Sequence, residues 1–254
     1  MPRRIQLSPK TDCKLQTKDG LIHYSLSRSS RRRTLLIGVD EKAQVSIHAP
    51  SYSADKEILA FIHEKASWII KKVEEASKVK AKLEARKFDH GHEFLFLGKR
   101  FPLDVEAKSI KRAQVHFDGF KWCLSIPSEA SQERRRELIK KKMVQWYREQ
   151  AEEVLGSRIF HYARLMGIEP VKIAVRTQKR VWGNCDFRTR TIHINWQIIL
   201  APIKVVDYVV VHEMCHLLVP NHSRAFWNKV KSILPHYEEQ KLWLKTNYLN
   251  MRLP

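Results

Sequence analysis

Hydrophobic and polar positions change period along the chain. Residues 21–26 alternate, 34–39 are apolar and partly β-branched, and 45–48 follow a turn at 40–42, which predicts a small antiparallel meander ended by Pro50. From 53 to about 82 the period becomes helical. Ile58, Phe61, Ile62, Ala66, Trp68, Ile69 and Val73 form one apolar stripe, whereas the later KKVEEASKVKAKLEARK is charged all round and reads as a solvated connector. Strand character returns over 93–126 as two hairpins. The first turns at Gly98-Lys99-Arg100, the second at Asp118-Gly119, a strong local turn signal.

The second half is mostly helical. A long helix is predicted over 131–166, with Leu138, Ile139, Met143, Trp146, Tyr147, Ala151, Val154, Leu155, Ile159, Tyr162 and Leu165 near helical spacing. Gly156 is a place for a bend, and Gly167 with Pro170 supplies the stop. Short strands follow at 172–176, 180–182 and 191–196. In TIHINWQ, Ile192, Ile194 and Trp196 share one face and His193 and Asn195 the other. Such a strand either completes a sheet or stands at its edge, where free N–H and C=O groups can pair with an extended peptide. Helices are expected over 202–219, with Pro202 in the first turn and Pro220 as the stop, over 223–233 after an Asn221 cap, and over 237–248. The fold class is α+β, divided into a β-rich N-terminal region with one long helix, 1–127, and a second region, 128–254, either as two domains that pack together or as one integrated domain.

The chemistry concentrates in one stretch, VVVHEMCHLLVPNHSRAFW, from Val209 to Trp227. His212 and His216 are four positions apart, so on a helix they fall roughly 40° apart and can offer imidazole nitrogens to one metal ion. Glu213 projects close by without being forced to bind the metal, where it can take a proton from a metal-bound water. His222, in the first turn of the next expected helix, folds back to complete the set. Chance alone produces H-E-x-x-H in about four of a hundred such chains, and with a third histidine at one fixed spacing in roughly two of a thousand. The bland alternative is an amphipathic helix with histidines at a core edge. Valines at 205, 206, 209, 210 and 211 before the motif, and Leu217 and Leu218 after it, favour a buried metal-binding helix. Asp207 serves either the first turn of this helix or the orientation of a ligand. Asn195, His193 and Tyr208 are candidates for stabilising an oxyanion. His90 and His92, around Gly91, read as a polar turn.

Composition narrows the setting. The 254 residues, 43% hydrophobic, suffice for a sizeable core, and no apolar run approaches the ~20 residues of a membrane span, so no membrane partner is expected. The opening MPRRIQLSPK has no signal-peptide core, and Cys13, Cys123, Cys185 and Cys215 form no C-x-x-C pair; both point to a cytoplasmic protein with reduced thiols. The formal net charge of +20 clusters at 28–33, 71–87, 99–112 and 134–142. Such a field makes nucleic acid a plausible partner, although no aromatic residues interleave the basic runs as a single-strand platform requires. The oligomeric state is left open.

WGNC at 182–185, INW at 194–196, LAP at 200–202, DYVVVHEMCHL at 207–217 and NHSRAFW at 221–227 resemble the YgjP-like metallopeptidases, a zincin-class family related in motif to SprT-like proteases. The likeness extends upstream through RSSRRRTLLIGV, the Trp68 helix and FLFLGKRF. It implies a zincin-like catalytic part over 128–254 and one Zn²⁺ per chain held by His212, His216 and His222. It further implies hydrolysis of a protein or peptide substrate through zinc-bound water, with Glu213 as general base. Three positions depart from related patterns: the family commonly has R-W-G-S-C, where this chain has Val181 before Trp182, with Arg180 one position earlier, and Asn184 for the serine, and Val219 stands where metzincins have glycine. The contending reading from another class is a nucleic-acid-associated binding protein with a structural or vestigial zinc site.

Overall fold

The computed structural model describes residues 11–40, 42–84, 88–169, 172–178, 181–248 and 251–253. The chain forms two compact units, Met1–Arg86 and Lys87–Pro254.

In the first unit, β1 (Thr11–Thr17), β2 (Gly20–Ser29), β3 (Leu36–Val39) and β4 (Val45–Pro50) lie in the order β1-β2-β4-β3. The expected meander is therefore corrected. β1 adds a strand, and β4 inserts between β2 and β3, running parallel to β2 and antiparallel to β3. The reversal is made at Asp40, whose Oδ1 accepts the N–H groups of Lys42 (2.9 Å) and Gln44 (2.8 Å). Ile22, Tyr24, Val45, Ile47 and Ala49 alternate onto the face that packs with Ile58, Ile62, Ala66 and Ile69. The single expected helix is two, α1 (Asp55–Glu64) and α2 (Ala66–Glu84), because Lys65 leaves helical geometry at φ −97°, ψ 7°. Trp68 is 45% exposed and stands off the predicted stripe.

In the second unit, β5 (Glu93–Phe96), β6 (Lys99–Lys108), β7 (Gln114–Phe117) and β8 (Trp122–Pro127) form a sheet in the order β5-β6-β8-β7, followed by α3 (Gln132–Met166). The first turn is the pair Leu97-Gly98, both at positive φ (47° and 80°), rather than Gly98-Lys99-Arg100. Fully buried Trp122 sits among the rings of Phe94, Phe101, Phe117, Trp146 and Tyr147, and the Tyr147 hydroxyl donates to the Leu95 carbonyl at 2.7 Å. That packing joins the 88–127 strands to α3, so the chain divides after Arg86 and not after 127 as the patterning suggested.

The two sheets repeat one arrangement. Val45 and Trp122, Ile47 and Leu124, Ala49 and Ile126, and Pro50 and Pro127 correspond at a constant separation along the chain, all but Pro127 being buried. Ser53 N–H donates to the Pro50 carbonyl as Ala130 does to Pro127, and Ser51 to Ser29 as Ser128 to Lys108. Asp118 accepts the N–H groups of Phe120 and Lys121 much as Asp40 does in its own turn. The same separation then relates the buried helical positions Ile62 and Ile139, Ala66 and Met143, and Ile69 and Trp146.

The Ser131 hydroxyl caps α3 at Arg134 N–H (3.3 Å), and Gly167 closes it in the left-handed region, its neighbour Ile168 N–H returning to the Ala163 carbonyl. Pro170 lies outside the described residues. A three-stranded sheet follows, β10-β11-β9, made of β9 (Lys172–Arg176), β10 (Gly183–Asp186) and β11 (Thr191–Asn195). A buried 3-10 turn, Trp196–Leu200, leads through Pro202 into α4 (Ile203–Cys215), and α5 (Arg224–Ile233) and α6 (Tyr237–Asn247) complete the unit. α4 is apolar all round and buried from Val205 to Val211, as a helix of that pattern must be. It ends at Cys215, before the predicted 219, because Leu217 and Leu218 N–H groups take three-residue bonds to Met214 and Cys215. No helix among the described residues is long and apolar enough to cross a membrane.

The hairpin tip holds the start of α4. Leu97 and Gly98 N–H groups donate to the Ile199 (2.7 Å) and Leu200 (3.2 Å) carbonyls, and a Cβ on Gly98 would lie 2.7–2.9 Å from Pro202. Gly98→Ala therefore combines a positive-φ penalty with a backbone clash and should cost about 2–4 kcal/mol in urea denaturation. Gly119→Ala, at φ 95° but with open space around it, should cost only about 1 kcal/mol.

Candidate metal centre

α4 places His212 and His216 on one face, as a four-residue spacing requires, with ring centroids 5.0 Å apart. The turn after Cys215 reverses the chain. His222 returns to within 4.9 Å of the His212 ring and 4.6 Å of the His216 ring. It occupies the turn ahead of Ser223, the residue that precedes α5, rather than the helix's first turn, and Asn221 Oδ1 accepts the Ser223 N–H at 3.3 Å. The candidate ligand atoms of the three histidines lie within 4.8 Å of one another, and this is the one such cluster among the described residues.

The hydrogen bonds fit a cation at that point. His216 Nδ1–H donates to the Val219 carbonyl (3.2 Å), which leaves the Nε2 lone pair for a metal. His212 Nε2 and His222 Nε2 stand 3.0 Å apart, a separation suited to two ligands of one small ion. Burial, then the charges of His216, His222 and Lys241, lowers the His212 pKa to about 3; burial lowers that of His216 too, against the Val219 bond. Both are neutral imidazoles at neutral pH, the form that binds metal.

Glu213, 5% exposed, is directed toward β10, where Gly183 lies against its side chain. Burial raises its pKa to about 8. Cys185, two residues along β10, has its thiol pushed up to about 11 by burial and by Glu213.

Aromatic rings wall the histidines. Phe226 stacks on His216 (4.5 Å), Trp227 stacks on His222 (5.6 Å) and on Tyr237 (5.4 Å), and the Lys241 ammonium lies 3.9 Å over the Trp227 ring. Sequence reasoning gave none of these a role. The signal was the spacing from His222 to Phe226 and Trp227, one helical turn after a ligand.

Other candidates resolve differently. Asp207 grips Arg158 of α3 in a bidentate pair (2.5 and 2.9 Å), so it ties the start of α4 to the scaffold and orients no ligand. Asn195 spends its amide on the Gln178 carbonyl and its oxygen on Gln197 N–H. In register, Gly183 faces Ile194 and Asn184 faces His193, so His193 and Asn195 project from the face opposite Gly183 and Glu213. Of the three oxyanion candidates only Tyr208 faces the histidines, its ring 5.8 Å from His212 and its pKa pushed up to about 12 by burial, Tyr237 and Glu213. β11 is central in its sheet; the edge strand against α4 is β10. His90 makes the polar turn expected, its Nδ1 accepting Val105 N–H at 3.2 Å. Cys215 is fully buried.

A family model described as YgjP-like, metallopeptidase domain, matches residues 33–247. Two crystal structures of metallopeptidase zymogens are similar over part of the chain. Pyrococcus abyssi abylysin is 24% identical, covering 41% of this chain and 93% of its own, with a TM-score of 0.31. Methanocaldococcus jannaschii jannalysin is 18% identical, covering 37% and 96%, with a TM-score of 0.34. No curated protein matches.

Without metal, the two buried groups act in opposite directions on stability. His212, depressed below its ordinary 6.5, makes the fold lose stability as pH falls from there toward 3. Glu213, raised above its ordinary 4.5, makes the fold lose stability as pH rises from there through 8. In chelator, Glu213→Gln should therefore gain on wild type by on the order of 3 kcal/mol between pH 5 and pH 9 in urea denaturation; a gap independent of pH contradicts the burial of the carboxyl.

Proposed function

The chain belongs to the YgjP-like metallopeptidase family, and on that premise we propose a zinc peptidase in which His212, His216 and His222 hold one Zn²⁺ and Glu213 is the general base. The observation that carries this reading is the convergence of three histidines beside one buried carboxyl. Zinc bound there would act as a Lewis acid toward the scissile carbonyl and bring a coordinated water's pKa near 7.

The rest of the chemistry falls to the chain. Glu213 takes the proton of the attacking water and passes it to the leaving amine. His216, oriented by Val219, and His212, pinned by Phe226, present fixed nitrogens. Tyr208, whose ring lies 5.8 Å from that of His212, is the candidate donor to a developing oxyanion. The substrate is an extended segment of protein or peptide, for which β10, the edge strand beside Glu213, offers its outer backbone groups; β11, for which the patterning left this role open, is paired on both sides. The zincin-like arrangement is proposed for the elements from α3 onward. The +20 charge supports a second, compatible reading in which nucleic acid recruits the peptidase, and binding that weakens steeply with salt is its test.

Purified protein should carry about one zinc per chain by elemental analysis. His222→Ala should lose it, and full zinc occupancy in that variant sinks the third-ligand assignment. Glu213→Gln should keep the zinc while peptide hydrolysis falls by about 10²-fold or more.

A further inference from the structure

We infer that Gly183 is a positioning residue for Glu213: the space its missing side chain leaves is occupied by the base. This deepens the general-base reading and rests on it. A Cβ built on Gly183 would lie 2.7 Å from Glu213 Cγ, 2.7 Å from Oε1 and 2.8 Å from Cδ, distances real Cβ atoms essentially never show. The three nearest atoms all belong to that one side chain.

The backbone does not itself call for glycine. Gly183 is not among the positive-φ glycines, and it pairs in regular antiparallel register with Ile194. Nor can the two elements separate to admit a methyl group. On the same sheet face as Gly183, Ile192 and Ile194 are both fully buried and fix β11 beside it; behind Glu213, α4 is fixed by buried valines and by the Arg158–Asp207 pair. What must move is the carboxylate, since none of the three nearest atoms belongs to a histidine, and the histidines should keep their places.

The consequence is a selective defect. Gly183→Ala should retain the wild-type metal content and a KM within about threefold of wild type, and lose about 10²-fold in kcat, the scale of a misplaced catalytic group. Gly156→Ala makes the same chemical change in α3 with nothing within 4 Å and should leave kcat as it is. Because the effect runs through Glu213, Gly183→Ala added to Glu213→Gln should lower the residual rate no further.

Wild-type kcat in Gly183→Ala overturns the inference, as does an equal further loss in the Glu213→Gln background. Should Gly183→Ala fail to fold or to hold metal, Gly183→Ala with Glu213→Ala must fold and hold metal as Glu213→Ala does; otherwise the methyl meets more than the base and the inference falls. If Glu213→Gln hydrolyses peptide as fast as wild type, the general-base assignment itself fails. Full activity of Gly183→Ala beside an inactive Glu213→Gln removes only the positioning role.

Discussion

Everything at the candidate metal centre depends on burying α4, a mostly apolar helix that nevertheless carries two carboxyls and the His212 imidazole, with His216 at its C-cap. A helix with no polar face has to be enclosed, and any ionisable group on it is enclosed too. Three contacts define how it is held. The Leu97-Gly98 tip bonds to the carbonyls just before its first turn, Arg158 grips Asp207 one turn further on, and Gly183 lets β10 close onto Glu213. Two of the three are glycines whose role is to be small where backbone or carboxyl must come near.

Enclosure also sets the electrostatics. Burial holds His212 and His216 neutral and disfavours ionised Glu213, so without a cation the site is three imidazoles beside a carboxyl with every reason to stay protonated. A divalent ion among the three histidines reverses the balance for the carboxylate, since a positive charge nearby favours its ionised form. Metal and base are therefore coupled through the same low-dielectric surroundings. The Arg158–Asp207 pair is less enclosed and belongs to the anchoring of the helix rather than to this coupling.

What could be read in the sequence follows from what is local. The H-E-x-x-H face, the third histidine and the helical stripe of α3 are set by spacing within one element or across one turn, and periodicity carries them. The insertion of β4 between β2 and β3, the central place of β11 and the Arg158–Asp207 pair are decisions between elements distant in sequence, to which alternation is blind: it says which face a residue takes, not which neighbour the strand has. Gly183 was quoted as part of WGNC but its reason was invisible, because that reason is the side chain of Glu213, thirty residues on. The boundary expected after 127 went astray similarly, since the 88–127 strands look like those before them.

They look alike because they repeat one arrangement, and the repeat separates scaffold from chemistry. Both units carry a four-stranded sheet with a parallel central pair, the same proline turn and a helix packed through corresponding positions. Yet among the described residues a metal-binding cluster occurs in the second alone. The sheet and helix are therefore not what makes a site. What the first unit lacks is the stretch that follows α3, in which β9 to β11 supply the edge strand, α4 with its C-cap carries His212, Glu213 and His216, and the turn before α5 carries His222. In the second unit the shared scaffold provides the two things this stretch cannot make for itself, a hairpin tip shaped to receive Pro202 and a long helix bearing Arg158. The histidine cluster sits on appended elements, held in register by a scaffold that occurs elsewhere in the chain without it.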